Sequence, residues 1–192
     1  QVEIARGPRL PEGLECAVGR SRDVLPYLCT AKELIRYCCD HSLSWISRGS
    51  MNLDIPGRLA NTCKDKPDNM AWLKRLPVVV EQLADTWSLD LGSPYDSDEV
   101  SCAWVAPVKR ADGSSAVLKI GMPHMEAEHE IQGLQYWDGD PTAYLFEADV
   151  ARNAMLMEHC VPGTVLRSLP ESEQDEVIAT LLCRLWRQPS RP

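Results

Sequence analysis

Two runs of β-forming residues flank Asp112-Gly113, one over 100–108 and one from Ala116 to Ile120. Asp-Gly between apolar runs is a strong hairpin signal, because the glycine accepts a backbone conformation that side chains resist. This hairpin constrains the rest: a sheet so begun must be extended and covered. Pro123 is placed to open a helix that Gly139 closes, with Ala127, Ile131 and Leu134 along its apolar stripe. Thr142 to Ala148 and Ala154 to Cys160 read as two further strands, joined by a turn over Asp149–Asn153.

Before the hairpin, Pro77 is read as the first residue of a helix whose stripe is Val80, Leu83, Ala84 and Trp87; Gly92 and Pro94 end that unit. After the strands, Val161-Pro162-Gly163 breaks the chain. Ser168-Leu169-Pro170-Glu171 has the spacing of a capping box, and Val177, Ile178, Leu181, Leu182, Leu185 and Trp186 form a last amphipathic helix. The order is helix, hairpin, helix, two strands, helix. It implies an α+β fold, a twisted antiparallel sheet with a helix inserted after its second predicted strand.

The preceding residues are less regular. A helix is possible from Leu25 to Cys39, and a weak apolar run covers Leu43 to Ile46. Asn61 to Asn69 reads as a polar linker. The expected organisation is therefore a poorly defined leader over 1–66, a sheet-bearing unit over 67–163, and the start of a helical unit over 164–192.

Composition excludes several classes. A formal net charge of -8 argues against a nucleic-acid-binding surface, which needs clustered Lys and Arg. No apolar run reaches the length of a membrane span, and no secretory leader pattern is present, so a soluble cytoplasmic protein is expected. The 8 cysteines include no Cys-x2-Cys and none at zinc-finger spacing from a histidine, so ordinary reduced thiols are expected and no metal ligands are assigned.

Three features point to chemistry. Lys119 lies inside Ala116-Val117-Leu118-Lys119-Ile120, on the same strand face as Val117. A snorkelling lysine on an edge strand would account for it, and so would a buried functional ammonium. Glu130 falls on the apolar stripe of the inserted helix, between Ala127 and Leu134. It is either a surface carboxylate at a helix edge or the partner of a buried cation. A Lys119–Glu130 ion pair satisfies both residues together. Third, the strand Met155 to Glu158 runs through His159 and Cys160 into Val161-Pro162-Gly163. A strand end leaves backbone donors and acceptors outside the sheet, where a flat heterocycle could use them.

A strand lysine, a helix glutamate and a connecting segment after the sheet are the parts of a protein-kinase-like small lobe. The chain also resembles one family in particular. Ala71-Trp72-Leu73-Lys74-Arg75-Leu76-Pro77, Trp87-Ser88-Leu89, Ala116 to Ile120, His129-Glu130, Tyr136-Trp137-Asp138-Gly139, and Leu156-Met157-Glu158 with Pro162-Gly163 are similar to the aminoglycoside/hydroxyurea antibiotic resistance kinases, among them streptomycin 6-kinase-like phosphotransferases.

The resemblance covers about residues 70–192. It implies ATP and Mg²⁺, an alcohol acceptor on a small-molecule antibiotic, and no nucleic-acid or membrane partner. It implies Lys119 on the α/β-phosphates of ATP, Glu130 orienting Lys119, and Glu158, His159 and Cys160 as the connection against adenine. Val105 and Val117 would line one adenine face. It also implies a catalytic His-x-Asp loop and a later metal-binding Asp. None of His41, His124, His129 and His159 has Asp two residues on. The segment from Asp96 to Val105, where a phosphate-covering loop would lie, contains no glycine.

The expectation is an N-terminal part of such a kinase, without its catalytic loop or Mg²⁺ ligands. The alternative is a non-catalytic remnant or interaction module that keeps the small-lobe fold.

Overall fold

The computed structural model describes residues 53–96, 102–123, 127–161, 163 and 166–186. Among them are the helices α1 (Gly57–Cys63), α2 (Pro67–Thr86), α3 (Ala127–Trp137) and α4 (Glu171–Leu185). The strands are β1 (Asp90–Leu91), β2 (Ala103–Lys109), β3 (Ser115–Gly121), β4 (Leu145–Asp149) and β5 (Ala154–Glu158). They form one antiparallel sheet in the order β1-β2-β3-β5-β4.

The β2–β3 hairpin closes at Asp112-Gly113, where Gly113 has φ +80° and Ser114 N donates to Asp112 Oδ1 at 2.9 Å. Because strand side chains alternate, the sheet divides its residues by parity. Trp104, Ala106 and Val108, with Ala116, Leu118, Ile120, Ala154 and Leu156, join one core with Trp72, Leu76, Val80, Leu83 and Ala84 of α2. On the opposite face, Ile131 of α3 packs on Met155 and Met157, with Leu134, Leu145 and Ala148 beside them. Beyond α3 on that face, Ala103, Val105 and Val117 form a separate cluster against Tyr95. Each large apolar side chain so buried contributes about 1.5–3 kcal/mol.

Several expected boundaries are corrected. The helix expected to open at Pro77 begins at Pro67 instead, and Pro77 lies in its interior. Proline does occupy the first turn, but it is the one ten residues earlier. Met70 N bonds Lys66 O at 3.0 Å and starts the ladder there. The polar linker expected over 61–69 is the end of α1, a short turn and the first turn of α2. Its Cys63 is fully buried, although polar neighbours disguise it.

Leu53, Leu59 and Cys63 share the α2 core, and Trp104 Nε1 donates to Asp54 O at 3.1 Å, so residues 53–66 pack on the sheet. The helices expected at Leu25 to Cys39 and around Leu43 lie outside the described residues.

The N-cap of the last helix is Pro170, not Ser168. Pro170 holds the N-cap of α4 with no side-chain bond, and Ser168 sits in a preceding 3-10 turn. The fourth strand starts at Leu145, not Thr142, and the fifth ends at Glu158, not Cys160. The turn between them is a 3-10 turn over Val150–Arg152. Asp149 accepts from Arg152 N, and Asn153 closes the turn in the left-handed region at φ 50°. The two-residue β1 was not foreseen, because Asp90–Leu91 is too short to show a period.

Candidate functional site

Lys119 stands in the centre of β3, opposite Val105 of β2 and Met155 of β5. It therefore lies in an interior strand, not on an edge strand from which it could snorkel. Its odd-numbered face is the one α3 covers, where Met155 and Met157 hold Ile131. That packing sets the glutamate: Glu130 precedes Ile131, and its carboxylate meets Lys119 Nζ in an ion pair. The two side chains are 13% and 27% exposed, so water reaches the pair from one side only. A bare ammonium at this depth would be costly, and the carboxylate offsets that cost while leaving donor capacity on Lys119 for another anion. Of the competing carboxylates, Glu126 and the Glu128 side chain lie outside the described residues.

The second part of the site is the exit from β5. Glu158 N donates to Tyr144 O at 2.8 Å, and Tyr144 N donates to the Glu158 carboxylate at 3.1 Å. The glutamate side chain thus takes over a main-chain donor just before β4 begins. Past this clasp Cys160 is buried, while Val161 is exposed. The Nδ1 atom of His159 is buried and meets no hydrogen-bond partner among the described residues. A buried orphan ring nitrogen is a costly feature, and it is a place where a ligand or ordered water can bond. Glu158 is paired with Ala116, three residues along β3 from Lys119, which separates the strand exit from the lysine by about 10 Å.

Val117, two residues before Lys119 on β3, and Val105, across from Lys119 on β2, are both buried on the Lys119 face with Tyr95 packed against them. Tyr95 N donates to Val105 O at 2.9 Å, which anchors the chain as it leaves β1. The structure thus places Lys119 and Glu130 in contact, and Glu158, His159 and Cys160 at the end of the neighbouring strand.

Two participants were missed in the sequence. Tyr144 lies just ahead of β4, where no alternation marks it. Tyr95 sits in a Ser-Pro-Tyr-Asp stretch that reads as loop.

Among the described residues, no group of three or more His, Cys, Asp or Glu side chains could hold a metal ion. No helix among them is long and apolar enough to cross a membrane. The exit strand leads on through the 3-10 turn Leu166–Ser168 to α4, whose Arg184 forms an ion pair with Asp140 in the turn after α3.

The family model for aminoglycoside/hydroxyurea antibiotic resistance kinases matches residues 95–192. The chain is 36% identical over 124 residues to a streptomycin 6-kinase of Streptomyces glaucescens, covering 64% of this chain and 40% of that protein. It is 33% identical over 146 residues to the streptomycin 6-kinase of Streptomyces griseus, covering 74% and 47% respectively. A hydroxyurea phosphotransferase of Kitasatospora aureofaciens is 30% identical over 147 residues, covering 74% of this chain and 43% of that one. The match thus spans less than half the length of each of these relatives. No solved structure matches the chain.

Proposed function

Because this chain belongs to the aminoglycoside/hydroxyurea antibiotic resistance kinase family, we propose that it forms the nucleotide-binding part of an ATP-dependent phosphotransferase acting on an alcohol group of a small-molecule antibiotic. The observation that carries this reading is the Lys119–Glu130 pair, an interior-strand ammonium held by a helix carboxylate beside an apolar strip. In a protein-kinase-like small lobe, that pair aims the lysine at the α- and β-phosphates of ATP. The five-stranded antiparallel sheet with α3 on one face is consistent with such a lobe.

In this reading Lys119 binds the phosphates electrostatically, as a fixed cation already desolvated and oriented. Glu130 is a positioning residue: it touches no substrate and keeps the ammonium aimed. Val105 and Val117 supply apolar surface for the purine, and the main chain from Glu158 to Cys160 supplies donors and acceptors for its edge. The unpartnered Nδ1 of His159 lies in that same segment and supports a ligand-facing role for it. Tyr95, which covers Val105 and Val117, must move aside for a purine to reach them.

Mg²⁺, which the family implies, would supply positive charge against the phosphates; no residue here is assigned to hold it. No residue of this sequence is assigned to take the acceptor proton either, since no histidine is followed by Asp at the second position. The acceptor, an aminoglycoside such as streptomycin or the smaller hydroxyurea, is proposed from the relatives alone.

An acyl-phosphate derivative of ATP tests the reading, since it acylates the lysine that contacts its phosphates. The expected result is selective acylation of Lys119, suppressed by excess ATP. Labelling spread over exposed lysines such as Lys64 and Lys74, indifferent to ATP, would overturn it.

A further inference from the structure

On the face of the sheet away from Lys119, three sulfur-bearing residues come together. Cys63 closes α1 and is fully buried. Its thiol lies 3.5 Å from the thioether sulfur of Met122. Met122 N donates to Cys102 O at 2.9 Å, which carries the β2–β3 register one step past the Ala103–Gly121 pair. Cys102 and Met122 therefore stand opposite each other on antiparallel chain, and residues so paired project to the same face. By parity that face is the one occupied by Trp104 and Ile120, where α1 packs.

Cys63 thus touches the side chain of Met122, and Cys102 is the cross-strand neighbour of that methionine; the first cysteine is buried and the second exposed. They are close enough for charge on one to be felt by the other: burial pushes the Cys63 thiol up from its ordinary value, and Cys102 pushes it further. Methionine is unbranched and adaptable, so the Met122 thioether can change rotamer within the core beside Cys63.

We propose that Cys63 and Cys102 are a redox-active dithiol that closes to a reversible disulfide, tying the end of α1 to the entry of β2. A low-molecular-weight disulfide such as oxidised glutathione is the oxidant. The exposed Cys102 thiolate attacks one glutathione sulfur, forms a mixed disulfide and releases one glutathione thiolate. The Cys63 thiol loses its proton, and its thiolate attacks the Cys102 sulfur and expels the second glutathione. Two cysteine thiols are oxidised, and one glutathione disulfide is reduced to two glutathiones. The raised Cys63 thiol makes the second step the slow one at neutral pH and faster as pH rises.

The bond would fix residue 102, where the segment between β1 and β2 re-enters the sheet. It leaves Lys119 and Glu130 untouched on the other face, so this inference stands apart from the nucleotide reading.

Peptide mapping of the 192-residue chain after incubation with oxidised glutathione tests it. The expected product is a Cys63–Cys102 cross-linked peptide as the main disulfide of those two residues. A Cys102-glutathione adduct should precede it and convert about tenfold faster for each unit rise in pH below the thiol value. In Cys102→Ser, a surface change, Cys63 should stay reduced under the same conditions. A stable Cys102 adduct that never transfers, Cys63 found linked to a different cysteine, or Cys63 oxidation unaffected by Cys102→Ser would each overturn the pairing.

Discussion

The Lys119 ammonium and the Glu130 carboxylate meet across the seam between β3 and α3, each supplied by a different element and each largely shielded from water. Removing one partner strands the other. Glu130→Gln is expected to destabilise the fold by about 1–2 kcal/mol, between the values for exposed and fully buried pairs. The double change Lys119→Met with Glu130→Leu should recover much of that loss while abolishing nucleotide binding. Urea denaturation of Lys119→Met, Glu130→Leu and their double variant measures the coupling.

Pro77 sits in the interior of a 20-residue helix and lacks the N–H that would bond four residues back. Pro77→Ala is expected to raise stability by about 1–3 kcal/mol, because the restored bond outweighs the lost rigidity of the unfolded chain. The midpoint of urea unfolding should move up with unchanged slope.

Gly92 is held against β2, where its N–H donates to Pro107 O at 2.8 Å. A Cβ added there would lie 2.9 Å from both that carbonyl oxygen and the proline ring. Gly92→Ala should cost about 1–3 kcal/mol, since backbone has to shift. Gly57, at the start of α1 with open space around it, supplies the control: Gly57→Ala should be neutral or mildly stabilising. Thermal melts of the two variants side by side make the comparison.

The parts of the fold that announce themselves in the sequence are those with local chemistry. Asp112-Gly113 marks its hairpin because the turn needs a residue with φ +80°. Lys119 and Glu130 stand out because each violates the apolar pattern around it, and one contact accounts for both. The exit from β5 shows itself through Pro162-Gly163.

What stays hidden depends on partners far along the chain. Pro67 and Pro77 both look like helix starts, and only packing of Trp72 and Leu76 on the sheet puts the start at Pro67. Cys63 reads as part of a polar linker and Leu59 as part of a poorly defined leader, because a short helix buries too few positions to display a period. The Tyr144–Glu158 clasp joins residues 14 apart through a main-chain donor, which no side-chain pattern records.

The hairpin turn should carry a measurable acid sensitivity. The Ser114 hydroxyl, and then its backbone N–H, hold the Asp112 carboxyl below the usual carboxylate range. A carboxyl lowered in the folded state adds stability above its unfolded value, near pH 4, and that contribution disappears as pH falls through the folded value. Asp112→Asn should therefore be less stable than the parent at neutral pH. The gap should close as pH falls below the folded value. Urea midpoints for both proteins across that range give the curve. Because Asp112 is fully exposed, the gap should be small and should shrink further in high salt.

The account rests most heavily on Lys119 as the phosphate-binding group of a nucleotide site whose far end is the β5 exit. An amide-resolved NMR titration of the chain with ATP examines both ends at once. About millimolar binding is expected for a ligand enclosed on one side only, with shifts concentrated at Val117, Lys119 and Glu158 to Cys160. Lys119→Met should keep the spectrum of a folded protein and lose those shifts. ATP shifts that fall elsewhere, or that persist unchanged in folded Lys119→Met, would contradict the account.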